Sequence, residues 1–143
     1  MKNILFLILT TIFLIGCSNK YEYFNSKNDF TSKEVDNKVI ADDMYNFVSS
    51  YYKPNQTTFY IHTSSLDKSF YEYLIQKFRS KGYAVTNNGD IKNLTFLSYN
   101  IKADSNMILV TYNINESKIN RIYTIKDYKL VPAGEITGFN FDK

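Results

Sequence analysis

Few residues in this chain have side chains that could carry chemistry, and their number limits what that chemistry can be. There is one cysteine, Cys17, and one histidine, His62, in 143 residues. A site with two histidine ligands to a metal is therefore excluded, and a Ser-His catalytic pair would have to use His62. His62 closes a stretch, Thr57–His62, whose composition is that of a β-strand and which places no acid beside it. The nearest approaches to paired carboxylates are Asp42-Asp43 and Asp104 with Asp90, and a helix surface and turns account for these without catalysis. Five glycines leave little room for a phosphate-cradling loop after any strand. The expectation is a protein that is not an enzyme, with no metal, no cofactor and no catalytic residue.

Cys17 is the exception, because its surroundings define a reaction. Met1-Lys2-Asn3 is followed by an apolar run from Ile4 to Ile15, broken only by Thr10 and Thr11, and then by Gly16-Cys17-Ser18-Asn19-Lys20. A charged start, an apolar middle and a small residue at the end form an export signal. The run is shorter than the roughly 20 residues that span a bilayer as a helix. Leu14-Ile15-Gly16-Cys17 resembles the lipobox of bacterial lipoproteins, in which the cysteine thiol takes a diacylglyceryl group and cleavage after Gly16 makes Cys17 the first residue. As the only cysteine, Cys17 has no intramolecular disulfide partner, which weighs against an ordinary signal peptide with a chance cysteine. Ser18, rather than Asp, is the following residue that in such lipoproteins permits sorting to the outer membrane.

Removing residues 1–16 leaves one domain of ordinary size and a tether. Loss of Lys2 takes Lys+Arg from 17 to 16 against 14 acids, so the mature chain is near +2. That bias is too weak to imply direct nucleic-acid binding. Aromatics are abundant, 13 Tyr and 11 Phe without Trp, which suits partly buried sheets and interfaces as well as simple compositional drift.

From Ser18 to about Asp36 the chain is polar and lacks periodicity, the composition of a flexible tether. Its aromatic residues Tyr21, Tyr23 and Phe24 would then be free to dock on a partner. Beyond it, Val39, Ile40, Met44, Phe47, Val48 and Tyr51 form one helical stripe over Asp36–Tyr52, with Asp36 as N-cap and Pro54 as the stop. Thr57–His62 follows as a strand, with Phe59 and Ile61 on one face and Tyr60 and His62 on the other. A second helix is expected from Leu66 to Lys81, capped by Ser64-Ser65-Leu66-Asp67 and ended by Gly82. The period then changes to two in Tyr83–Thr86, Thr95–Ile101, Met107–Ile114 and Ile119–Ile125, separated by Asn-, Asp- and Ser-rich turns. Connections this short predict an antiparallel meander. The sum is an α+β fold, a two-layer domain with two helices on a mainly antiparallel four- to five-stranded sheet. Its organisation is signal peptide 1–16, lipidated tether 17–35 and domain 36–143.

The run Phe70-Tyr71-Glu72-Tyr73-Leu74-Ile75-Gln76-Lys77-Phe78-Arg79-Ser80-Lys81-Gly82-Tyr83-Ala84-Val85 carries a helix through a glycine cap into a strand. With Leu97-Ser98-Tyr99, Arg121-Ile122-Tyr123, Val131-Pro132-Ala133-Gly134 and the lipobox, in that order, the chain resembles the TrbH family of conjugal-transfer lipoproteins. That family often has a tryptophan soon after the Pro-Ala-Gly tail, where this chain has Ile136 and Phe139. The resemblance implies an outer-membrane lipoprotein facing the periplasm, a non-catalytic structural subunit of the channel core of a type IV secretion apparatus. Its partners would be the membrane, through the lipid, and channel-ring proteins, a homo-oligomeric ring being one arrangement left open. The partner-binding candidates are Tyr21, Tyr23 and Phe24 in the tether and Pro132, Ala133, Gly134, Ile136 and Phe139 in the tail. The residues alone also fit a general envelope lipoprotein that binds or regulates a periplasmic protein.

Overall fold

A computed structural model describes residues 24–30, 32, 35–64 and 68–140. The element order is β1 (Asn25–Asn28), α1 (Lys38–Ser49), a 3-10 turn at Pro54–Gln56, β2 (Thr58–Tyr60), β3 (His62–Thr63) and α2 (Ser69–Ser80). There follow β4 (Ala84–Thr86), β5 (Leu94–Asp104), β6 (Met107–Ile114), β7 (Ser117–Lys126), β8 (Lys129–Pro132) and β9 (Thr137–Phe139).

Both helices are amphipathic and lie on one face of the sheet. α1 buries Ile40, Ala41, Met44 and Val48, and α2 buries Phe70, Leu74, Ile75 and Phe78. Against them stand Leu97, Tyr99 and Ile101 of β5, Ile108, Val110, Tyr112 and Ile114 of β6, and Ile119 and Tyr123 of β7. Every second residue of each strand thus faces the helices, as a pleated strand requires. Phe59, Phe78 and Tyr83 interlock at ring-centroid distances of 5.0 to 5.4 Å. Truncating a ring so enclosed costs about 3–5 kcal/mol.

α2 ends as Gly82 predicts. Gly82 has φ +88°, Tyr83 N–H donates to Phe78 C=O at 3.1 Å, and Gly82 N–H donates to Arg79 C=O at 3.0 Å. These are the two bonds of a Schellman cap, and the Phe78–Tyr83 ring contact supplies its apolar closure. At the start of α1, Asp36 accepts from Lys38 N–H at 2.9 Å, while Asn37 holds the N-cap position without a side-chain bond. The expected capping residues Ser65, Leu66 and Asp67 of α2 lie outside the described residues.

The expected mainly antiparallel four- to five-stranded sheet needs correction: among the described residues the sheet has nine strands and is mixed. β5 through β8 form an antiparallel meander, and β9 pairs with β7. The other half is parallel, with β2 flanked by β4 and β5 and β1 flanked by β3 and β5. Two physical reasons explain the difference. β4 has three residues, roughly 10 Å of strand, so the seven-residue loop 87–93 is long enough to return the chain for a parallel β5. β1 is the polar string Asn-Ser-Lys-Asn, which carries no hydrophobic period, yet it fills the gap between β3 and β5 by backbone pairing.

That pairing draws part of the expected tether into the domain. Ser26 is buried, and its hydroxyl accepts from Tyr99 N–H. Asn25 and Ser64 exchange two hydrogen bonds of 2.7 and 2.9 Å. Phe30 and Val35 join the main core. Residues 25–28, expected in the tether, thus pair within the sheet.

Candidate functional site

The residues quoted in the sequence as Arg121-Ile122-Tyr123 and Val131-Pro132-Ala133-Gly134 meet at one place, and Asp43 joins them. Arg121 sits at an inward position of β7, between Ile119 and Tyr123, both of which face the core. A guanidinium there must be paired, since an uncompensated charge at a core margin is costly. α1 supplies Asp43, whose Oδ2 accepts from Arg121 Nε at 3.1 Å and from the Tyr123 hydroxyl at 2.6 Å. The opposite side of the guanidinium, Nη1, donates to Gly134 C=O at 2.7 Å. One arginine thereby ties the helix layer, the sheet and the C-terminal tail.

The tail is shaped to receive it. β8 ends with Pro132 opposite Tyr123, and β9 resumes on the same edge of β7 with Thr137 opposite Asn120. Between them the chain leaves the ladder: Ala133 N–H donates to Ile122 C=O at 2.8 Å, and Gly134 turns at φ +92° with open space where a Cβ would stand. The turn aims Gly134 C=O at the arginine. Ile136 then packs against the main core, while Phe139 is 67% exposed.

The electrostatics are those of a clamp. Burial pushes the Tyr123 hydroxyl far above its ordinary pKa, and its bond to Asp43 adds to the shift. Burial also raises Tyr112, followed by the negative charge of Asp43, with the nearby Tyr123 hydroxyl and Arg121 acting the other way. Both phenols keep their protons at physiological pH, so Tyr123 serves as a donor. The remaining candidates are held in structural contacts. Asp42 turns away from Asp43, bonding Lys77 at 2.9 Å and the Tyr73 hydroxyl at 3.0 Å. Asp90 closes a turn through its N–H to Asn88 Oδ1, and Asp104 ends β5 at a hairpin. The half-buried His62 ring lies near-parallel to that of Tyr60, with centroids 6.4 Å apart. Among the described residues no group of three or more His, Cys, Asp or Glu could hold a metal ion.

Gly16, Cys17, Tyr21 and Tyr23 lie outside the described residues. Phe24 corrects the expectation of a free docking ring: it is 4% exposed, packed 5.0 Å from Phe96 in a small cluster with Tyr60. Pro132, Ala133, Gly134, Ile136 and Phe139 lie along one edge of β7, with Ile136 against the core and Phe139 on the opposite face of the sheet. The residues missed by the sequence reading are Asp43, Arg121 and Tyr123. A signal existed: Arg121 occupies a core-facing position in the alternation of β7, which calls for a carboxylate from another element.

A family model described as conjugal transfer protein TrbH matches residues 18–140. No curated protein and no solved structure matches the chain.

Proposed function

The chain belongs to the TrbH family of conjugal transfer proteins, and from that premise we propose that it is a lipid-anchored structural subunit of the transfer channel. In this reading Cys17 carries the lipid, the protein sits at the periplasmic face of the outer membrane, and the folded domain binds channel-ring proteins without catalysing a reaction. The observation that carries it is the extent of the family match, which begins at residue 18, immediately after the lipobox cysteine, and runs through the tail to residue 140. No helix among the described residues is long and apolar enough to cross a membrane, so attachment through Cys17 supplies what the described helices do not. Two or more acyl chains are needed for stable anchoring, and the lipobox reaction provides them. The domain's polar cluster supports a holding role, since Asp43, Arg121 and Tyr123 are all engaged in joining elements.

The test is a fatty-acid labelling and copurification experiment. The native protein, extracted from labelled envelopes with mild detergent, should carry the label and bring down channel-ring proteins. Cys17→Ala should lose the label and remain as uncleaved precursor. An equally labelled Cys17→Ala variant would refute the anchor. A labelled protein that captures only cell-wall enzymes would favour a general envelope module instead.

A further inference from the structure

The helices cover one face of the sheet, and the chain enters from the other. The bare face is defined by the strand positions that alternate with the core: odd residues of β6, even residues of β5 and β7, and their registered partners. At these positions the charged residues are Lys27, Lys102, Lys118, Lys126 and Lys129 against Asp104 alone. Glu116 and Asp127 stand in hairpin turns at the rim. All five lysines are exposed. Met107, Leu109, Ile122, Val131 and Phe139 share this face, five of the nine exposed large hydrophobic residues among those described. Cationic and apolar side chains mixed on one surface are the composition that lies at a lipid interface.

The start of the folded chain gives this face a direction. Phe24 is packed against Tyr60 and Phe96, whose positions belong to the bare face and not to the helix-covered core. From Cys17 to Phe24 there are seven Cα steps, at most roughly 25 Å. β5 alone, with 11 residues, is about 36 Å long. A tether shorter than the domain it holds, and joined to it on the bare face, keeps that face close to the anchor.

We propose that the bare face of the sheet lies on the membrane surface, its lysines against anionic phospholipid headgroups and its exposed aliphatic side chains at the headgroup boundary. The helices and the free edge formed by β8 and β9 then remain accessible to protein partners. This orientation rests on the lipid anchor at Cys17 proposed above. It corrects the picture of a domain free at the end of a long tether.

The acylated protein in phosphatidylglycerol-containing nanodiscs tests it. Cys17 is the only native cysteine, so once it is acylated a single introduced thiol can be labelled. A fluorophore on Leu109→Cys should be strongly quenched by headgroup-quencher lipids, whereas one on Val39→Cys, exposed on α1, should not. Replacing the anionic lipid by phosphatidylcholine, which leaves the fold untouched, should lower the Leu109 signal. Lys118→Glu with Lys126→Glu should do the same, each lysine shifting the surface population by roughly fivefold. Equal quenching at Leu109 and Val39 on an acylated protein overturns the orientation alone. Protection of Leu109 only when channel-ring protein is added, without lipid quenching, also overturns it and makes the face a protein interface. Absence of acyl label on Cys17 removes the anchor, and the orientation with it.

Discussion

At the scale of single residues, Arg121 has the largest consequences. It makes an ion pair with Asp43 and a hydrogen bond to Gly134 C=O, with its side chain 15% and that of Asp43 25% exposed. Hydrogen bonds to charged groups contribute about 1.5–3 kcal/mol each when partly buried. Arg121→Ala should therefore destabilise the domain by about 2–3 kcal/mol and free the tail, seen as faster amide hydrogen exchange over residues 135–139. Arg121→Lys should fail to rescue exchange in the tail, because an ammonium cannot span Asp43 and Gly134 as the guanidinium fork does. Unchanged exchange in either variant would show that β9 holds itself.

Tyr123 makes a prediction about pH. Its folded pKa is raised above 10, the value expected for the unfolded chain, by burial first and by the Asp43 bond second. Above pH 10 the unfolded state loses the proton that the folded state keeps, so stability contributed by this phenol is complete below pH 10 and falls as pH rises further. Tyr112 acts in the same sense. Denaturant titrations should show stability independent of these two groups from pH 7 to 9 and a decline beyond 10. Tyr123→Phe should be less stable at neutral pH and show a shallower decline. A decline as steep as that of the wild type would remove Tyr123 from the account.

At the scale of elements, the hairpins were legible and the parallel half was not. Residues 107–114 and 117–126 are rich in β-branched and aromatic residues and are separated by Asn115-Glu116, and the structure pairs 107–114 with 117–124. Asn115 takes φ +52° and its side chain accepts from Phe96 N–H, extending the ladder of β5. The stripe in α2 and the glycine after it were also readable, since both obey local rules. β1 was not, because Asn25-Ser26-Lys27-Asn28 is chosen by neighbours far along the chain and has no local signature. Asp43, visible in the sequence as half of a carboxylate pair, acquires its meaning only where α1 lies on β7. Local strain remains at the β7–β8 hairpin, where Asp127 and Tyr128 have φ +47° and +59° in a two-residue turn. Such turns favour Asn-Gly or Asp-Gly. Tyr128 is 71% exposed, so Tyr128→Gly should raise stability by about 1 kcal/mol through relief of the left-handed conformation. A lower melting temperature in thermal denaturation would mean that the tyrosine ring makes a compensating contact.

At the scale of the whole molecule, two halves of the sheet serve different ends. The parallel half wedges β1 between β3 and β5 and so fixes Phe24 beside Tyr60 and Phe96. The antiparallel half ends in an edge, β8 and β9, held by the Arg121 clamp and carrying the exposed Phe139. An edge strand that keeps unpaired backbone groups is a ready acceptor for another strand. In the proposed channel subunit the lipid and the bare face position the domain while the edge and helices meet the partner. None of this uses His62, whose replacement by Ala should leave function near that of the wild type.

Mating frequency tests whether the protein serves conjugal transfer from a lipid anchor. Donor cells lacking the gene should transfer their plasmid poorly. Wild-type and His62→Ala copies should restore transfer, and Cys17→Ala should not. A deletion that leaves mating frequency unchanged, or a Cys17→Ala copy that restores it in full, would contradict the account.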